Sequence, residues 1–305
     1  MGLFHCPMGS IYRDDDPCID CGLCQAKTKQ EMVAASKKIR DHLHTHAQRP
    51  STVSKIAVCG KGGAGKTTVV TLLANVMAEQ GYKVLLIDTD DSNHGLPRML
   101  GLEKEPTALL TLLSRFSDDK TSSRAKWLLK DKITIADIPE KYIAAKGNLK
   151  FMMSGKIADP FEGCACLMAG VARDLLSKLV LEPSEKVIVD TEAGVESFGR
   201  GVERSVDTVL TVVEPSFESL ALSEKISYMA EGIGINTVKA ILNRVPSKKI
   251  EKKMIERLSK ANIESIGSIY FDLKVNEDAF EGNALGESAA KDNARKIVQS
   301  LTGLF

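Results

Sequence analysis

The sequence predicts an α/β fold: a doubly wound, mostly parallel sheet, preceded by a small cysteine-rich extension. Three observations carry that prediction. Apolar, β-branched runs recur from residue 55 onward, helical stretches separate them, and a glycine-rich loop follows the first run directly. Strands buried on both faces read as near-continuous apolar runs, the pattern of a parallel sheet covered by helices. A chain of 305 residues is long enough for one such domain and an appendage.

The extension comes first. The chain begins MGLFHCPMGSIYRDDDPCIDCGLCQAK, and Cys6, Cys18, Cys21 and Cys24 all fall within it. The stretch CIDCGLC has CxxCxxC spacing, the three-ligand run with which one loop wraps three corners of a [4Fe–4S] cubane. Residues 25–29 hold no cysteine, so Cys6, in a Cys-Pro pair, is the candidate fourth ligand. A zinc site made of the same four thiolates is the alternative. A site here would pass electrons, sense redox state, or staple a segment too short to fold unaided. Arg13-Asp14-Asp15-Asp16 reads as a solvated turn.

Residues 30–48, QEMVAASKKIRDHLHTHAQ, are rich in helix formers, and Pro50 closes them. A boundary near residue 50 divides the extension, 1–50, from the α/β domain, 51–305. His42 and His46 would share a helical face, a pattern that suits a metal, but the segment ends the extension and no further ligand is placed nearby, so His42, His44 and His46 read as non-ligands.

Seven runs then read as strands: KIAVCG (55–60), KVLLIDTD (83–90), KITIADI (132–138), KVIVDTE (186–192), TVLTVVEP (208–215), TVKAILNRV (237–245) and SIGSIYFD (265–272). Between them, TTVVTLLANVMAEQG and ESLALSEKISYMAEG carry helical periodicity and end at glycine. Residues 102–166 carry weak strand signals broken by Lys-rich loops. Cys59 falls inside the first strand and reads as a packing residue.

Composition narrows the partners. Lys and Arg number 41 against 40 Asp and Glu, a formal net charge of +1. That gives no long-range field to gather nucleic acid or anionic membrane, so neither partner is implied. No apolar run of about 18 residues and no secretory leader is found, which makes a cytoplasmic location the default. In that reducing compartment clustered cysteines read as metal ligands or redox groups.

The glycine-rich loop is Gly60, Lys61, Gly62, Gly63, Ala64, Gly65, Lys66, Thr67 and Thr68, a full GxxxxGK[ST] match between strand and helix. Its backbone amides and the helix N-terminus suit phosphates; Lys66 reaches the β and γ oxygens, and Thr67 ligates Mg²⁺. The domain is therefore expected to be a P-loop NTPase that binds ATP and Mg²⁺.

Lys61 makes the loop KGGxGKT, which resembles the deviant Walker A signature of the MinD, ParA and nitrogenase iron protein class. The resemblance implies an ATP-driven homodimer, with Lys61 and Lys66 catalytic and Lys61 contacting the partner's nucleotide. Asp88-Thr89-Asp90 matches that class's switch I, which implies that Asp90 orients the attacking water and Asp88 lies near the magnesium shell. Asp190-Thr191-Glu192-Ala193-Gly194 matches switch II, with Asp190 acting on Mg²⁺. Asn243 and Arg244 match the adenine-recognition position. An amide can tell adenine's edge from guanine's, although Asn at a strand end is also a turn former.

Within that class, three stretches resemble the CooC-type nickel-insertion ATPases: DTEAGVESFGRG (190–201), VVEPSFESL (212–220) and LKFMMSGKIADPFEGCACLMAGVARDLL (149–176). The last contains a CxC pair, Cys164 and Cys166. Two thiolates are half of a closed site, so two subunits at a symmetry axis would complete four ligands for Ni²⁺ or Zn²⁺. A buried or redox cysteine pair is the alternative. GVESFGRG has no cysteine, which argues against an interface cluster of the nitrogenase kind. The C-terminal ESAAKDNARKIVQSLTGLF has scattered basic residues and an apolar face suited to core packing rather than to membrane targeting or DNA partitioning.

The resulting expectation is an ATP-hydrolysing dimeric metallochaperone that serves a nickel enzyme such as carbon monoxide dehydrogenase/acetyl-CoA synthase. The alternative is an ATP-gated iron–sulfur electron donor for a corrinoid or metallocluster partner. The N-terminal extension is absent from the CooC pattern.

Overall fold

The computed structural model describes residues 28, 30, 31, 34, 53–90, 95–112, 126–155, 165–235 and 237–303; for 165–168 and 199–200 the backbone alone is described. The chain divides into two units, Met1–Arg49 with Gly232–Gly234, and Pro50–Glu231 with Ile235–Phe305. In the first, Gln30, Glu31 and Ala34 are helical. The Glu31 carboxylate accepts from the Thr28 N–H at 2.9 Å and Thr28 Oγ1 accepts from the Glu31 N–H at 3.2 Å, a reciprocal cap. The cysteines at 6, 18, 21 and 24 and the three histidines lie outside the described residues.

The second unit carries the sheet. Its strands are β1 (Lys55–Gly60), β2 (Lys83–Asp88), β3 (Ala144–Lys146), β4 (Leu149–Met153), β5 (Glu185–Asp190), β6 (Thr208–Val213), β7 (Val238–Val245) and β8 (Glu264–Tyr270). They form one 8-stranded sheet in the order β3-β4-β2-β5-β1-β6-β7-β8. All neighbours are parallel except β3 with β4. The central strands are buried end to end: β6 along its whole length, β1, β2 and β5 from the second residue on.

Helices cover both faces: α1 (Lys66–Glu79), α2 (Leu96–Leu100), α3 (Ala165–Lys178), α4 (Glu196–Arg200), α5 (Phe217–Gly232), α6 (Lys248–Lys260), α7 (Leu273–Glu281) and α8 (Ala289–Thr302). The α1 helix buries Val69, Val70, Leu72, Leu73, Val76 and Met77 between the sheet and its neighbours. The C-terminal α8 helix buries Ala290, Ala294, Ile297, Val298 and Leu301 in the same core. Among the described residues no helix is long and apolar enough to cross a membrane.

Two departures from expectation lie in residues 102–166. The run 132–138 is not a strand. Ile133 makes a single parallel bridge with Leu179, and a 3₁₀ turn covers Ile135–Asp137. Asp137 Oδ2 accepts from the N–H and hydroxyl of Thr134, each at 2.8 Å, and these local bonds outcompete a ladder. The strand in this region is instead β4, which pairs with β2 from Val84↔Leu149 to Asp88↔Met153. A short turn at Gly147, φ +58°, folds β3 back onto it.

The order places β1 between β5 and β6: the chain runs from β1 to β2 on one side, and after β5 it crosses to β6 on the other, so the strand order reverses at β1. In open α/β sheets the crevice at such a point, outside the carboxyl ends of the strands, is the ligand site.

Candidate nucleotide-binding site

The loop from Gly60 to Gly65 leaves β1 at that crevice and enters α1 at Lys66. Its shape needs glycine. Gly63 and Gly65 have φ of +80° and +85°, and a Cβ on Gly65 would lie 2.4 Å from Asn243 Nδ2. A Cβ on Gly60 would lie 2.6 Å from the Val212 carbonyl oxygen, so the loop can leave β1 only against bare backbone. Gly65 caps α1 with no side-chain hydrogen bond. The first-turn amides of α1 therefore face the loop without a side-chain cap, an arrangement that suits anions. Lys66, 7% exposed, starts that turn.

Three carboxylates stand opposite. Asp88 and Asp190 end β2 and β5 as register partners, and both are buried. Thr67 Oγ1 donates to Asp190 Oδ2 at 2.9 Å, tying α1 to β5. The Asp90 N–H donates to Asp88 Oδ1 at 3.0 Å, which keeps Asp90 beside the pair. Thr89 donates through its N–H and its hydroxyl to the Asp190 carbonyl, at 3.0 and 2.8 Å. Burial, and then the Asp88 carboxylate, pushes the Asp190 carboxyl well above the ordinary carboxylate range. Buried like charges raise each other's pKa, and a cation relieves them. A hydroxyl and carboxylates, all hard oxygen donors, fit Mg²⁺.

The DTEAG segment lies against the loop. The Gly194 N–H donates to the Gly60 carbonyl at 3.0 Å, and Thr191 Oγ1 donates to the Val58 carbonyl at 2.9 Å. Beneath it Cys59 is fully buried, as a packing residue should be, and burial, reinforced by Glu203, pushes its thiol far up. Burial also raises Glu203 to about 7.

Asn243 and Arg244, at the end of β7, are brought to the loop as well. Asn243 Nδ2 donates to the Ala64 carbonyl and Arg244 Nη1 to the Gly63 carbonyl, both at 2.8 Å. Arg244 does so from a left-handed backbone, φ +54°. Both side chains thus brace the phosphate loop.

Lys61 meets a residue to which sequence reasoning assigned no role. Its Nζ lies 2.9 Å from Glu214 Oε1, just beyond β6. A glutamate closing the largely β-branched run TVLTVV is the one visible signal. Cys166 falls in the first turn of α3; its side chain, Cys164, Gly163 and Pro160 lie outside the described residues.

Comparison with known proteins shows the family and the fold. The model of the CobQ/CobB/MinD/ParA nucleotide binding domain matches residues 55–285. An uncharacterized ATP-binding protein of Methanocaldococcus jannaschii is 35% identical over 256 residues, 81% of this chain and 99% of its own. The carbon monoxide dehydrogenase accessory protein CooC of Rhodospirillum rubrum is 30% identical over 257 residues, 81% of this chain and 95% of its own. Among solved structures, the septum site-determining protein MinD of Pyrococcus horikoshii, complexed with Mg-ADP, has the same fold at a TM-score of 0.60 and 19% identity, covering 82% of this chain and 96% of its own.

Proposed function

The chain belongs to the CobQ/CobB/MinD/ParA nucleotide-binding family, and from that premise we propose that it is a dimeric ATPase that captures a soft metal ion and delivers it to a metalloenzyme client. The observation that carries the nucleotide half is the Thr67–Asp190 bond, which joins the phosphate loop to the buried carboxylate pair. The likeness to CooC and the Cys164-Ala165-Cys166 pair support the metal half.

The residues divide the work. Loop amides and Lys66 hold the phosphates, and Thr67 with Asp190 and Asp88 would hold Mg²⁺, which when bound neutralises phosphate charge. Asp90 orients water toward the terminal phosphorus. Lys61 supplies a cation to the phosphates across a closed dimer, so closure is coupled to the charge of the bound nucleotide. Cys164 and Cys166 of two subunits form the four-thiolate cargo site, for nickel or zinc.

Anaerobic purification followed by metal and sulfide analysis, with and without ATP, tests this. The reading expects about one cargo ion per dimer, lost in Cys164→Ser and retained in Cys18→Ser. Cargo unchanged in Cys164→Ser overturns it. The four cysteines at 6, 18, 21 and 24 favour a second reading, an ATP-gated electron donor with a [4Fe–4S] cluster. Zinc in place of iron and sulfide at those positions removes that reading.

A further inference from the structure

We propose that Glu214 is a positioning residue that holds Lys61 in the ligand-free chain, so that nucleotide must win this lysine from a carboxylate before the subunits close. The inference rests on the role of Lys61 given above and adds the group that restrains it.

The pair is built rather than incidental. Lys61 Nζ and Glu214 Oε1 lie 2.9 Å apart, with side chains 39% and 20% exposed. The carboxylate is oriented by its own loop. Ser216 Oγ donates to Glu214 Oε1 at 3.3 Å, and the Glu214 N–H donates to Ser219 Oγ at 3.1 Å. The Ser219 N–H in turn donates to Ser216 Oγ at 3.2 Å, and Ser219 is buried at the start of α5. A held carboxylate costs less entropy to pair than a free one, so this contact is stronger than a chance surface pair. Glu214, with a smaller contribution from Glu218, raises the Lys61 pKa, and the lysine stays charged throughout the neutral range.

The two lysines of the loop therefore differ in kind. Lys66 is buried at the start of α1, where a phosphate would come to it. Lys61 is committed elsewhere and must exchange one anion for another. A ligand shifts such an equilibrium only by its differential affinity for the two states. A triphosphate competes with a single carboxylate better than a diphosphate does, because its extra charge sits at the terminal phosphate. The Glu214 pair thereby makes closure sensitive to the γ-phosphate rather than to nucleotide in general.

The test uses the full chain as wild type, Glu214→Gln, Lys61→Gln and the double variant. Dimer fraction is followed by sedimentation against a non-hydrolysable ATP analogue, together with ADP affinity and the kcat and KM of ATP turnover. Glu214→Gln should reach half-maximal dimer at about three- to tenfold lower analogue concentration, with ADP affinity unchanged. Ser216→Ala, which loosens the carboxylate but keeps it, should shift the curve the same way by less. Both shifts should vanish in the Lys61→Gln background, where a merely structural effect of Glu214 would persist. A Glu214→Gln curve that superimposes on wild type, or a shift that survives without Lys61, overturns the proposal. If Lys61→Gln impairs closure while Glu214→Gln changes nothing, the restraint alone fails. A Lys61→Gln chain that dimerises and turns over like wild type overturns the role of Lys61 and the restraint with it.

Discussion

Asn243 donates through Nδ2 to the carbonyl of Ala64 at 2.8 Å, and so the tip of β7 holds the phosphate loop closed. The amide is almost wholly buried, and the space it fills is the space a Cβ on Gly65 would take. This brace acts on the part of the site common to all nucleotides. Asn243→Ala should therefore weaken ATP and GTP binding by similar factors, about tenfold for one lost hydrogen bond and a relaxed loop. Titration calorimetry with both nucleotides checks it. Loss confined to ATP would instead assign Asn243 to base readout.

The buried carboxylate pair predicts opposite signs for stability and function. Without a cation, Asp88 and Asp190 oppose each other at the ends of adjacent strands. Asp190→Asn removes that opposition and should raise the apo melting temperature by about 2–4 °C, roughly 1 kcal/mol for a chain of this size. It should also lower Mg²⁺-dependent ATP turnover by about 100-fold or more, since charge complementary to the transition state is worth several kcal/mol. Calorimetry and a phosphate-release assay read the two effects separately.

The strand that sequence reasoning missed also carries core weight. Phe151, fully buried in β4, packs in the main cluster with Leu86 and Ile188. Phe151→Ala should destabilise the domain by about 3–5 kcal/mol in chemical denaturation. An exposed position on the same hairpin, Lys146→Ala, should cost far less.

That contrast shows what the sequence could reveal. The runs at β1, β2, β5 and β6 were legible because strands buried on both faces select continuous apolar, often β-branched residues, as in KIAVCG and TVLTVV. LKFMM has no β-branched residue and carries a lysine, so its pairing with β2 left no periodic trace. KITIADI has the right alternation and is still not a strand, because Thr134 and Asp137 bond to each other three residues apart. At the site, the loop was legible because phosphate chemistry fixes its spacing, and the aspartates because they end strands and match the switch segments of the resembled class. The Lys61–Glu214 and Asn243–Ala64 contacts join positions 153 and 179 residues apart, a relation that only the completed sheet creates.

The same sheet places the end of α1 against α8, where the fold's pH dependence at the acid end should arise. Glu287 accepts from Lys291 and from Arg295, and Lys291 also donates to Glu79 on α1. The Lys291 and Arg295 donors hold the Glu287 carboxyl down at about 2, against an ordinary 4.5. A folded-state pKa below the unfolded one contributes stability that is complete above about 4.5 and is lost as pH falls from there toward about 2. Burial alone would lower Lys291, but Glu287 and Glu79 outweigh it and raise it above 10.5, so its contribution persists below that pH and fades only above it. The network should therefore be flat through neutrality. Glu287→Gln should melt below wild type at pH 6, and the gap should close between about pH 4.5 and pH 2. A gap that stays constant down to pH 2 would place the acid sensitivity in other carboxylates, and one that widens would reverse the sign assigned to Glu287.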